Sequence, residues 1–132
     1  MGTAEIYDAV EGLAEVDEAL IVGVERDDGN YWMPLFIKLS LGAEWSLSLS
    51  AKISNVIRSS VSPHYVPDEI LIVRAVPHTL TGKKLELPIK RLLQGASIED
   101  VVNLDSVDDP QLFIEFAQMA SARLEEERIA RG

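Results

Sequence analysis

The sequence predicts a small α+β domain, a sheet of about three strands with helices on its faces. Three observations predict it. Apolar residues recur at helical spacing near both ends and in the middle of the chain, three apolar runs have strand length, and Pro, Gly and Asp clusters separate them. At 132 residues and 47% hydrophobic content, the chain can bury a real core as one compact domain without disulfides.

Taken in order, Thr3 can cap a first helix over about residues 4–14. Ile6, Val10 and Leu13 line one face of it, and Glu5, Asp8 and Glu11 suit its early turns through the macrodipole. Glu18 to Glu25 is an apolar run of strand length, and Asp27-Asp28-Gly29-Asn30 is a turn signal before a second run from Tyr31 to Leu39. These two runs predict an antiparallel hairpin. Pro34 cannot donate to a ladder, so its strand is expected at an edge or bulged there. Ser46 or Ser48 can cap a helix that buries Leu49, Ile53, Val56 and Ile57, leaves Lys52 and Arg58 outside, and stops at Ser62-Pro63.

Ile70-Leu71-Ile72-Val73 follows as the central or third strand. Beyond a loop, Pro88 suits the first turn of a short helix holding Ile89, Leu92 and Leu93, with Gly95 as its stop. Residues 96–108 read as a connector. Asp109-Pro110 caps a last helix with Phe113, Phe116, Ala117, Ala120 and Leu124 in its stripe, and residues 125–132 read as a frayed tail.

The composition excludes several chemistries. With no cysteine, there is no disulfide, thiolate metal site or cysteine nucleophile, and two histidines, His64 and His78, argue against a histidine-built metal site. No apolar run approaches the ~18 residues of a membrane span, and no secretory pattern opens the chain, so a cytoplasmic protein is expected, without a membrane partner. The net charge of −10 argues against nucleic acid. Its distribution is uneven: residues 31–95 carry eight bases against four acids, between acidic flanks. That pattern suits a small phosphate-bearing ligand, or is an uneven solvated surface.

Pro77 to Pro88 reads Pro-His-Thr-Leu-Thr-Gly-Lys-Lys-Leu-Glu-Leu-Pro. It lacks the first glycine of a phosphate-binding Walker loop, and Gly-x-Ser-x-Gly, His-Glu-x-x-His and EF-hand patterns are absent from the chain. Gly82 permits a tight turn and close approach to a ligand; Lys83 then offers a charged ammonium with three donors. From the residues alone, this is either an electrostatic clamp on a phosphate or carboxylate, or a turn with solvated lysines.

Pro77 through Lys83, with Arg58 upstream, resembles the C-terminal domain of adenylate-forming acyl-CoA synthetases, whose signature runs from a proline to Ser or Thr, Gly and Lys. The opening Gly2-Thr3-Ala4-Glu5-Ile6-Tyr7 is similar to the end of the family's hinge motif. Glu18 to Glu25 resembles its first strand, and Ser62 to Ile70 the segment before its last. Within the family, Thr79 to Pro88 looks most like acetoacetyl-CoA synthetases, which carry the Glu and the hydrophobic-Pro pair.

The resemblance implies that Lys83 is the catalytic adenylation lysine, contacting the carboxylate substrate and the ATP α-phosphate region. It implies that Thr81 and Gly82 belong to the same nucleotide-facing loop, and that Arg58 contacts a CoA phosphate. ATP and CoA would be substrates of the full enzyme, a small carboxylic acid its third reactant, and Mg2+ would arrive with ATP in the large N-terminal domain. No metal is expected on this chain itself. A lysine acetyltransferase acting on Lys83 would remove the charge and switch adenylation off. The large domain and the Arg-Gly-x-Arg loop that precedes this segment in the family are absent from these residues, so the chain by itself is expected to be inactive.

Two other readings stay open. One is the lid of a different acyl- or aryl-CoA ligase or of a carrier-protein-loading adenylation enzyme. The other is a free-standing, non-catalytic binding or regulatory domain.

Overall fold

In the computed structural model of the chain, which describes residues 3–131, five helices and five strands follow one another. They are α1 (Ala4–Glu11), β1 (Val16–Ile21), β2 (Val24–Glu25), β3 (Tyr31–Trp32), β4 (Pro34–Leu39), α2 (Leu47–Ser60), β5 (Glu69–Ile72), α3 (Glu86–Leu93), α4 (Ile98–Val101) and α5 (Pro110–Arg131). Single 3-10 turns lie at Pro63–Tyr65 and Leu104–Ser106. The α+β expectation is met. The residues sort into two units, one running up to Ile21 and over Met33–Val76, the other built from Val22–Trp32 and Pro77 onward.

The first unit is a three-stranded sheet in the order β1-β4-β5, with β1 antiparallel and β5 parallel to β4. Its core gathers Ile6 and Val10 from α1, Leu49, Ile53 and Ile57 from α2, and Ala19, Ile21, Leu35 and Ile37 from the sheet. The i, i+4 spacing of the helical residues and the i, i+2 spacing of the strand residues put them on single faces. β1 is an edge strand, and an edge leaves alternate N–H groups unpaired. Here α1 supplies the acceptors. The Glu11 carboxylate accepts the Ala19 N–H at 2.8 Å and the Tyr7 hydroxyl oxygen accepts the Ile21 N–H at 3.1 Å.

Two local expectations need correction, and one open choice is settled. Thr3 sits before α1 with helical dihedrals and its side chain makes no cap bond. Ser46 does cap α2, accepting the Leu49 N–H at 3.0 Å from an extended conformation. Pro34 lies in the central strand, not at an edge, and the register shift of the β1–β4 pair falls between Val16 and Glu18. The central place is tolerated because Pro34 is the first residue of β4. Just before it, Met33 leaves the ladder and exchanges bonds with Asp68, donating to Oδ2 at 2.8 Å and accepting the Asp68 N–H at 2.9 Å.

In the second unit, β2 and β3 form a short antiparallel pair around the predicted Asp27–Asn30 turn, closed by Arg26 N–H to Asn30 C=O at 2.8 Å. Helix α3 buries Ile89, Leu92 and Leu93 and lies against α5, which buries Leu112, Phe113, Phe116 and Ala120. The expected connector over residues 96–108 contains α4 and the 3-10 turn. Past Leu124, where the sequence reads as a frayed tail, α5 continues to Arg131. Glu127 pairs with Arg26 at 2.7 Å, and Arg26 also donates to the Leu93 carbonyl at the end of α3. The guanidinium groups of Arg26 and Arg123 lie 5.8 and 4.6 Å from the Trp32 ring centroid. Among the described residues no helix is long and apolar enough to cross a membrane.

Candidate functional site: the Lys83 hairpin

The stretch from Pro77 to Lys84 is a tight hairpin. His78 and Lys84 form an isolated antiparallel bridge, the Thr79 N–H donates to the Lys83 carbonyl at 2.8 Å, and the Gly82 N–H donates to the Thr79 carbonyl at 2.9 Å. A turn closed this way needs a residue at positive φ after its two central positions. Gly82 fills that place at φ 93°, with nothing within 4 Å of where a Cβ would stand. The glycine is therefore required by backbone conformation and not by crowding.

Thr79 completes the turn from inside. Its hydroxyl oxygen accepts the Lys83 N–H at 3.1 Å and lies 3.0 Å from the Thr81 hydroxyl. The three expected loop residues Thr81, Gly82 and Lys83 are thus brought together at an exposed tip, with Leu80 exposed beside them. The sequence reading missed Thr79. The signal was there in a threonine four residues ahead of the lysine, placed to bond its own turn.

Arg58 lies near the end of α2 in the first unit, exposed, and donates to Asn55 Oδ1 at 2.8 Å. As expected, it sits away from the Leu49, Ile53 and Ile57 face. The surplus of bases across residues 31–95 is reduced by folding. Lys38 pairs with Asp17 at 2.9 Å, Lys52 with Glu15 at 2.9 Å and Lys90 with Glu25 at 3.0 Å, each acid coming from the acidic first thirty residues. Hydrogen bonds from Lys52 and from Lys90, respectively, are the main reason the Glu15 and Glu25 carboxyls are held below their ordinary values. Among the described residues no group of three or more His, Cys, Asp or Glu is placed to hold a metal ion.

The lysine on its glycine turn and the arginine on α2 are thus both exposed, on elements of different units. Residues 5–83 match the family model of the AMP-binding enzyme C-terminal domain, a match that ends on Lys83. The chain belongs to that family.

Its relatives narrow the comparison. Acetoacetyl-coenzyme A synthetase of Rhizobium meliloti (strain 1021) is 36% identical over 121 residues, covering 92% of this chain and 18% of that protein. Acetoacetyl-CoA synthetase of Mus musculus is 37% identical over 98 residues, covering 74% of this chain and 15% of the relative. The solved acetoacetyl-CoA synthetase from Streptomyces lividans superposes with a TM-score of 0.87 at 46% identity, over 93% of this chain and 18% of that one. The chain therefore spans less than a fifth of the length of these relatives.

Proposed function

We propose that this chain is the C-terminal lid domain of an ATP-dependent acid–CoA ligase that converts acetoacetate, ATP and CoA to acetoacetyl-CoA, AMP and pyrophosphate. The observation that carries the reading is the exposed Thr81-Gly82-Lys83 tip in a chain 46% identical, over 93% of its length, to an acetoacetyl-CoA synthetase. In the first half-reaction a carboxylate oxygen attacks the ATP α-phosphorus and pyrophosphate leaves. Negative charge builds on the oxygens of the transferring group, and the Lys83 ammonium neutralises it. Removing one such donor typically costs about 10²- to 10³-fold in rate. In the second half-reaction the CoA thiol attacks the acyl carbon and AMP leaves, with Arg58 taking a CoA phosphate. One domain serving two steps in turn fits a lid that rotates between them.

Mg2+ would enter with ATP on the large N-terminal domain, and acetylation of Lys83 would cancel its charge and stop the first step. The test uses the complete ligase. Lys83→Ala should reduce acetoacetate-dependent ATP–pyrophosphate exchange by about 10²-fold or more while sparing thioester formation from supplied acyl-adenylate. Equal loss in both half-reactions would reject the role. Arg58→Ala should raise the KM for CoA and leave exchange intact; unchanged CoA kinetics would remove Arg58 from the CoA site.

A further inference from the structure

The hairpin that carries Lys83 is splinted by a second segment, Asn103–Asp108. The Leu80 N–H donates to the Ser106 carbonyl at 3.2 Å, and the Asp108 N–H donates to the His78 carbonyl at 2.9 Å. Thr79 and Val107 form an antiparallel bridge between these two bonds. The Asp108 side chain adds a clamp of its own. Oδ1 accepts the His78 N–H at 3.1 Å, and Oδ2 lies 3.4 Å from the His78 imidazole Nδ1. One carboxylate therefore holds both the backbone and the side chain of the residue at the base of the hairpin.

The splint is held by its own hydrogen bonds and by one buried side chain. Asn103 Oδ1 accepts the Asp105 N–H at 3.0 Å, and the Asn103 carbonyl accepts the Ser106 N–H at 2.9 Å and the Ser106 hydroxyl at 2.6 Å. Val107 is buried at 3% exposure, and the next-but-one residue, Asp109, caps α5 by accepting the Leu112 N–H at 3.0 Å. Asp108 thus stands between a buried anchor and a helix cap, whereas Lys83 stands at an exposed tip. A lysine reaches its target through four flexible methylenes, so the position of its backbone decides where the ammonium can go.

We propose that Asp108 is a positioning residue for Lys83: by clamping His78 against the Asn103–Asp108 splint, it fixes the base of the hairpin from which the lysine is presented to the reacting phosphate. This rests on the reading of Lys83 as the adenylation lysine. Misplacement of a reacting group by about 1 Å can cost on the order of 10²-fold, so a loosened base damages the step that uses Lys83 and spares the step that does not.

The test is made in the complete ligase with Asp108→Ala, Asp108→Asn and Lys83→Ala in parallel. Asp108→Ala should lower the kcat of ATP–pyrophosphate exchange by roughly 10- to 100-fold, keep thioester formation from supplied acyl-adenylate, and speed amide hydrogen exchange across residues 79–84. Asp108→Asn keeps an oxygen for the His78 N–H and should recover most of the exchange rate. An unchanged rate in Asp108→Ala, an equal fall in both half-reactions, or an Asn variant as impaired as the Ala one overturns the proposal. Parent-like exchange in Lys83→Ala would instead sink the lysine reading, and the amide protection of residues 79–84 would still report whether Asp108 braces the turn.

Discussion

The Thr79 hydroxyl oxygen accepts the backbone N–H of Lys83 at 3.1 Å, so the hairpin is tied across its own mouth by a side chain four residues ahead of the lysine it presents. Valine is close to threonine in shape and removes that acceptor. In the complete ligase Thr79→Val should slow pyrophosphate exchange roughly 3- to 10-fold, the population equivalent of losing about 0.5–1.5 kcal/mol. Thr79→Ser keeps the oxygen and should stay near the parent. A valine variant with parent exchange kinetics would show that the bond does not set the turn.

Gly82 at φ 93° should tolerate no side chain cheaply, although space is open around it. Gly82→Ala should cost about 1–2 kcal/mol through backbone conformation alone, or else flatten the turn. Urea unfolding of the variant reads the first outcome, and loss of exchange activity without loss of stability reads the second. A variant unchanged in both would contradict the conformational requirement.

Acid should destabilise the fold through its paired carboxylates. Glu15, Glu25 and Glu125 are lowered from their ordinary 4.5 mainly by hydrogen bonds from Lys52, Lys90 and Arg128. A carboxyl lowered in the folded state stabilises it fully above the unfolded pKa, and that contribution is lost as pH falls through the folded value. The melting midpoint should therefore hold above about pH 5 and decline below the ordinary value near 4.5. Lys52→Met should shallow the decline, and high salt should do the same because these pairs are exposed. An identical pH profile for Lys52→Met would show that the Glu15 pair contributes nothing.

Ile53 is fully buried in the core of the first unit, between the α2 residues Leu49 and Ile57. Ile53→Ala should destabilise by about 2–5 kcal/mol through lost burial and the cavity left behind. The shift of the urea midpoint at constant slope measures it. A change under about 1 kcal/mol would mean that neighbouring side chains collapse into the space.

Much of this was legible in the order of residues. The α2 cap and buried face, the turn at Asp27–Asn30, the three sheet strands, the short α3 and the Asp109 cap all follow from period and punctuation, which are local properties. Glycine and charge at that spacing mark the Gly82-Lys83 turn, and the resemblance to the family is what singles out Lys83 within it. Apart from the Thr3 cap, what the sequence did not show lies where a partner distant in sequence decides. Pro34 looked like an edge residue until β5 paired beside β4, and three of the eight bases in the positive middle, Lys38, Lys52 and Lys90, turn out to pair with Asp17, Glu15 and Glu25. Asp108 carried no signal at all, since thirty residues separate it from His78.

What the sequence by itself determined was the class of the fold and the residue at the tip of the loop, because both are encoded within a few residues of one another. What the tertiary structure alone decided was how that tip is held. The hydrogen bonds that join Ser106 and Asp108 to the hairpin exist only once the chain has come back on itself past α3, and no spacing along the sequence records that return.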